Sequence, residues 1–199
     1  MANLITIARM VLAFIVVALL FVNDTNFYIA AFILTIFVIW MDGLDGYVAR
    51  KFNESSKLGA VLDILSDRVV ENVYWITFLA LGWVPVWVPL IVASRGIITD
   101  GLRSIALEQG FTAFGSNTMM QGKIAKFIVA SNFSRFTYAV CKALAFTLLI
   151  AANIPVYYAF KENVESVGYA CVYISVFFCV ARGLPVIFES SRFFENAKK

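Results

Sequence analysis

The sequence predicts an all-α integral membrane protein of about six transmembrane helices, with both termini cytoplasmic and a polar active-site cleft at the cytoplasmic side. Three observations predict it. The 199 residues are 61% hydrophobic and only 15% charged, whereas a soluble domain carries about a quarter charged residues. Apolar runs long enough to span a bilayer recur between short turn-like segments. Basic residues fall on alternate connections.

The apolar stretches lie near residues 4–22, 27–49, 58–83, 86–107, 124–152 and 167–188. A spanning helix needs about 20 mostly apolar residues, and each stretch is close to that length. The first has no basic segment before it and no small-residue cleavage site after it, so it reads as a retained span rather than a signal peptide. NDTN separates it from the second, KFNESS the second from the third, and GWVPVW the third from the fourth. EQGFTAFGSNTMMQG and NIPVYYAFKENVES follow. No stretch alternates in the manner of a barrel strand. The first and third connections lack Lys and Arg, and the fifth holds only Lys161, beside Glu162 and Glu165. The second holds Arg50, Lys51 and Lys57, the fourth is flanked by Arg103, Lys123 and Lys126, and the tail holds Arg192, Lys198 and Lys199. That alternation fits an even number of spans under the positive-inside rule. No internal repeat or linker is visible, so residues 1–199 read as a single domain.

Composition excludes several chemistries. The chain has no histidine, which removes imidazole acid/base catalysis and imidazole metal ligation. Cys141, Cys171 and Cys179 form no CxxC pair and sit in apolar sequence, so they read as packing residues. A formal charge of +3, dispersed along the chain, gives no nucleic acid footprint.

Four carboxylates stand out against this background. Asp42 and Asp45 are three apart near the cytoplasmic end of the second span, and Asp63 and Asp67 are four apart early in the third. Both spacings put the pair on one helix face. The connection between the spans is short, so the two pairs can face one another across a cleft. An ionised Asp at the centre of a membrane helix costs about 3 kcal/mol on insertion scales, so four need an offsetting positive charge. Oxygen-only donors suit a hard cation such as Mg²⁺ or Mn²⁺, and such ions commonly share their shell with phosphate. Gly46 and Gly59 leave room for close approach, Ala49 extends the small-residue face, Arg50 can grip phosphate, and Ser56 adds a hydroxyl.

The full spacing, Asp42-x2-Asp45-Gly46-x2-Ala49-Arg50-x8-Gly59-x3-Asp63-x3-Asp67, resembles the signature of the CDP-alcohol phosphotransferase family. The opening Asn3-x2-Thr6-x2-Arg9 resembles that family's N-terminal pattern. The resemblance implies displacement of CMP from a CDP-linked donor by an alcohol. It implies that Asp42, Asp45 and Asp63 hold two divalent ions, Mg²⁺ or Mn²⁺, with Asp67 touching one. Asp67 would also be the general base. Thr6, Gly46, Ala49, Arg50, Ser56 and Gly59 would line the donor site. A homodimer in the bacterial inner membrane is implied by the same resemblance.

Further intramembrane charges bear on the acceptor. Arg95 and Arg103 are eight apart on the fourth span, Lys123 and Lys126 enter the fifth, and Arg135 lies deeper in it. Arg103, Lys123, Lys126 and Arg135 are the candidates for an acceptor's phosphate, while Lys142 and Arg182 are expected to pair internally or snorkel. SRGIITDGLRSIALEQG followed by QGKIAK is similar to a region of the phosphatidylglycerophosphate synthases of that family. This favours CDP-diacylglycerol as donor and glycerol 3-phosphate as acceptor. Two positions depart from that branch: Gly96, where an acidic residue is usual, and Arg68, where Lys is more frequent. Relatives that use inositol phosphate more often have Arg there, so that acceptor stays open. A transporter is the rival class, because intramembrane Asp and Arg also mark ion pathways. It lacks support from any repeat or pair of broken helices, and the Asp pairs sit at one end of their spans.

Overall fold

The computed structural model describes residues 2–22, 24–51, 57–108, 122, 127–129, 131–156 and 159–196, with backbone alone at 2, 49–50, 57–58, 60, 107–108 and 191–196. Among the described residues the long elements are all helices. They are α1 (Ala2–Leu20), α2 (Thr25–Lys51), α3 (Lys57–Ala80), α4 (Trp87–Glu108), α5 (Asn132–Asn153) and α6 (Lys161–Asn196). Length and apolarity qualify α1, α2, α5 and α6 as membrane-crossing. α3 and α4 carry more charge: Asp63, Asp67, Arg68 and Glu71 on the one, Arg95, Asp100 and Arg103 on the other.

Helix ends follow local chemistry. The Asp24 carboxylate accepts the Asn26 N–H at 2.9 Å and caps α2. Ser131 does the same for α5, its hydroxyl accepting the Ser134 N–H at 3.1 Å. The described helix α5 begins at Asn132; residues 127–129 before it are also helical, and the expected boundary near 124 lies outside the described residues. At the other end of the chain, α6 begins at Lys161, before its apolar run, because Glu162 in the first turn complements the helix dipole.

α3 ends at Gly82, whose φ of 74° lies in the left-handed region. Gly82 N–H donates to the Leu79 carbonyl and Trp83 N–H to the Phe78 carbonyl, and the Trp83 ring meets that of Phe78 at 5.3 Å. These are the two hydrogen bonds and the apolar contact of a Schellman cap. A side chain at Gly82 finds open space, so the penalty there is conformational. Gly82→Ala is expected to cost about 1–2 kcal/mol, read as a lower melting temperature in detergent with unchanged helix content.

The chain forms two compact units, Met1–Pro89 with Ala143–Ala170, and Leu90–Lys142 with Cys171–Lys199. In the first, α1 packs on both α2 and α3. The buried stripe of α1 runs Thr6, Arg9, Ala13, Val16, Leu20, and that of α2 runs Tyr28, Ala31, Thr35, Val38, Met41, Asp45. Steps of three and four keep each on one face. The α1 stripe has its polar residues at the start of the helix and the α2 stripe ends on Asp45, so the antiparallel pair brings Thr6 and Asp45 together. Tyr74 of α3 is locked to α2 through Thr35: the hydroxyls lie 3.0 Å apart, and Thr35 donates to the Ala31 carbonyl at 2.8 Å. Thr35 has one proton, so Tyr74 donates to it. Phe146 of α5 stacks on Tyr74 at 4.7 Å, with Trp75 and Phe78 edge-on at 4.9 and 5.8 Å.

In the second unit, α6 continues through Pro185, whose missing N–H leaves the Ala181 carbonyl without its usual helical partner. Two residues before it, Gly183 lies against Arg95 of α4. A Cβ there would meet Arg95 Cγ at 2.7 Å.

Candidate active site

The acidic cluster sits where α1, α2 and α3 meet. Asp42 comes from α2, and Asp63 and Asp67 come from α3. One carboxylate oxygen from each lies within 4.8 Å of the others, and all three side chains are exposed. Three converging, solvent-accessible oxygens without histidine or cysteine fit a hard divalent cation, Mg²⁺ or Mn²⁺, which keeps water or phosphate in its remaining positions. Asp45 is placed differently. It is 5% exposed, and the Thr6 hydroxyl donates to its Oδ2 at 3.2 Å. Asp45 and Thr6 form a buried pair beside the three converging carboxylates.

Arg9 is the residue whose part in the cluster sequence reading missed. Its side chain is 2% exposed, yet it pairs through Nη1 with Asp42 and through Nη2 with Asp67 Oδ1 at 2.8 Å. Nη2 also donates to Ser66 Oγ at 2.7 Å, while Nε is buried without a partner. The offsetting positive charge that four carboxylates require is thus supplied in part by the first helix. Its signal is the α1 stripe: Arg9 is in step with Ala13, Val16 and Leu20 and so faces protein.

The donor-site candidates are distributed as follows. Gly46 and Gly59 are half-buried in α2 and α3. Ala49 and Arg50 lie in the last turns of α2, where backbone alone is described. Ser56, Lys123 and Lys126 lie outside the described residues.

Of the acceptor candidates, Arg103 of α4 is half-buried and lies 3.7 Å from Asp100, and Arg135 of α5 is exposed. Both act electrostatically on Arg182 of α6, as does Arg95. Arg95 and Arg182 are each 9% exposed. The Arg182 Nη2 donates to the Val129 carbonyl at 3.4 Å and its guanidinium lies over the Tyr138 ring. Lys142 lies over the same ring. The Nε atoms of Arg95 and Arg182 have no hydrogen-bond partner. The second unit therefore gathers Arg95, Arg103, Arg135, Lys142 and Arg182, with Asp100 beside Arg103.

Comparisons with known proteins bear on the family. The family description "CDP-alcohol phosphatidyltransferase" matches residues 1–181. A Pseudomonas fluorescens CDP-diacylglycerol–glycerol-3-phosphate 3-phosphatidyltransferase is 32% identical over 162 residues, 76% of this chain and 82% of that one. Its Bacillus subtilis namesake is 27% identical over 159 residues, 78% and 70% of the two chains. The Aquifex aeolicus namesake is 40% identical over 67 residues, and there the match spans 34% of this chain and 36% of that protein. With a family match over nearly the whole sequence and the Asp cluster lying inside it, the chain belongs to the CDP-alcohol phosphatidyltransferase family and is an enzyme of phosphatidyl transfer.

Proposed function

We propose that the enzyme transfers the phosphatidyl group from CDP-diacylglycerol to glycerol 3-phosphate, giving phosphatidylglycerophosphate and CMP. The convergence of Asp42, Asp63 and Asp67 carries this reading: an open cluster of oxygen donors is what a metal-assisted attack on a pyrophosphate needs. Relatives named for this reaction supply the substrate pair. The family uses divalent metals. Asp42, Asp45 and Asp63 would hold two ions, Mg²⁺ or Mn²⁺, with Asp67 reaching one of them. When bound, the ions neutralise the pyrophosphate and stabilise the departing CMP.

The chain's own residues divide the remaining work. Thr6, Gly46, Ala49, Arg50, Ser56 and Gly59 would receive the donor headgroup, its acyl chains staying in lipid. Asp67 would take the proton from the acceptor hydroxyl, whose oxygen then bonds to the phosphatidyl phosphorus. The bond from that phosphorus to the CMP oxygen breaks, and CMP leaves with the electron pair. Arg103, Lys123, Lys126 and Arg135 would hold the acceptor's own phosphate, joined by Arg95. The setting is six spans of an inner membrane, with the cleft facing the cytoplasm and the protein acting as a homodimer.

The test is CMP release by purified protein given CDP-diacylglycerol and Mg²⁺ or Mn²⁺, with glycerol 3-phosphate or inositol phosphate supplied separately and the lipid product identified by mass. Release with glycerol 3-phosphate is expected. Release with inositol phosphate alone would replace the acceptor and keep the chemistry. No release with any alcohol would remove the enzyme assignment of the cleft.

Gly183 offers a separate check on the cations. Gly183→Ala forces Arg95 to move, because the new Cβ would stand on its Cγ at 2.7 Å. The KM for glycerol 3-phosphate is expected to rise about tenfold, on the scale of one charge-assisted hydrogen bond, with the KM for CDP-diacylglycerol held. Equal KM values in both proteins would remove Arg95 from the acceptor site.

A further inference from the structure

Arg9 stands in an unusual position. Its guanidinium is buried and clamped on two carboxylates, Asp42 and Asp67, whose side chains are 55% and 52% exposed. Both carboxylates are therefore open to an ion arriving from solvent. We infer that Arg9 is a resident counter-ion, which holds Asp42 and Asp67 in the metal-free enzyme and gives them up as a divalent cation enters. This rests on the reading of the Asp cluster as a metal site.

Three features carry the inference. Without an ion, Asp42, Asp63 and Asp67 repel one another at the junction of α2 and α3, and Arg9 is the cation paired with two of them. It reaches from α1, the helix packed against both. A divalent ion sharing the same carboxylates would repel the guanidinium at close range in a medium of low dielectric, so the two cations compete. Ser66 provides a neutral anchor: its hydroxyl already accepts from Nη2 at 2.7 Å, so Arg9 keeps one hydrogen-bond partner when the carboxylates turn to the ion. Arg9 would thereby keep the two acidic helices, α2 and α3, packed on α1 before the metal arrives.

The test measures Mn²⁺ binding to the purified protein in detergent micelles, reading free Mn²⁺ by its paramagnetic resonance, and the melting temperature with and without Mn²⁺. Wild type is compared with Arg9→Gln, and with Arg9→Lys as a variant that keeps the charge but has one donor nitrogen in place of the two that Arg9 sets against Asp42 and Asp67. Arg9→Gln is expected to lower the half-saturating Mn²⁺ about tenfold and Arg9→Lys about threefold. Each is expected to melt lower than wild type without metal and to recover more of that loss when Mn²⁺ is added. Equal loss of melting temperature with and without Mn²⁺, at unchanged affinity, would make Arg9 a packing residue and overturn the inference. Weaker Mn²⁺ binding would make it an organiser of the ligands and overturn it too. Absence of Mn²⁺ binding in all three proteins would overturn the metal site itself, and the inference with it.

Discussion

Asp67→Asn is expected to slow CMP release severely while leaving the protein folded and Asp42 and Asp63 still able to bind Mn²⁺. The substitution is isosteric and removes one proton acceptor. General-base catalysis contributes about 10²–10⁴-fold, so the rate with saturating acceptor should fall by about that factor. The KM for CDP-diacylglycerol should change little, because the donor headgroup is assigned to other residues. Folding is protected by redundancy. Arg9 keeps Asp42 and Ser66 as partners when Asp67 loses its charge, and Asp67 is half exposed, so no buried charge is orphaned. Initial rates of CMP release, with Mn²⁺ binding as the control, make the measurement. Equal rates in the two proteins would take the base role from Asp67. A loss of rate that tracks a loss of Mn²⁺ binding would make Asp67 a ligand alone. A transporter would show neither effect, since it releases no CMP.

The Asp pairs were legible because their spacing is local. Separations of three and four residues fix a shared helix face in any α-helix, and the apolar flanks make a carboxylate there conspicuous. The helical class was legible for a similar reason, since long apolar runs leave few alternatives. Arg9 was not legible as the partner of Asp42 and Asp67, because that pairing spans 33 and 58 residues of sequence and depends on α1 packing against α2 and α3. Asp45 shows the same limit. Spacing put it on the face of Asp42, but three residues of an α-helix fall short of a full turn. The offset is enough to turn Asp45 toward Thr6 and leave Asp42 in the open. The start of α6 was less legible. Hydropathy marks where a segment becomes apolar, near 167, whereas the backbone is helical from Lys161, with Glu162 in its first turn.

Phe146→Ala is expected to be the most destabilising single substitution in the first unit. The ring is 3% exposed and is the common neighbour of Tyr74, Trp75 and Phe78. Lipid is as apolar as the ring, so transfer from water contributes little within a membrane. What is lost is packing: the dispersion contacts of three aromatic faces and the cavity that remains. Buried Phe→Ala changes cost about 3–5 kcal/mol in aqueous cores, and the lower end of that range is expected here. Tyr74→Phe isolates the neighbouring polar lock. It removes only the hydrogen bond to Thr35 and should cost about 1 kcal/mol. The order of the two costs follows from geometry, one hydroxyl against a ring with three partners. Because Tyr74 and Trp75 stand about two turns along α3 from Asp67, slack around Phe146 also loosens the register of α3 on α2, and with it the approach of Asp63 to Asp42. Phe146→Ala should therefore weaken Mn²⁺ binding as well as lower the melting temperature, while Phe146→Leu, which refills most of the volume, should restore most of both. Thermal melts and Mn²⁺ titrations of the three variants measure the two effects together. A Phe146→Ala protein that melts no lower than Tyr74→Phe would show that the aromatic cluster does not hold α3 in place.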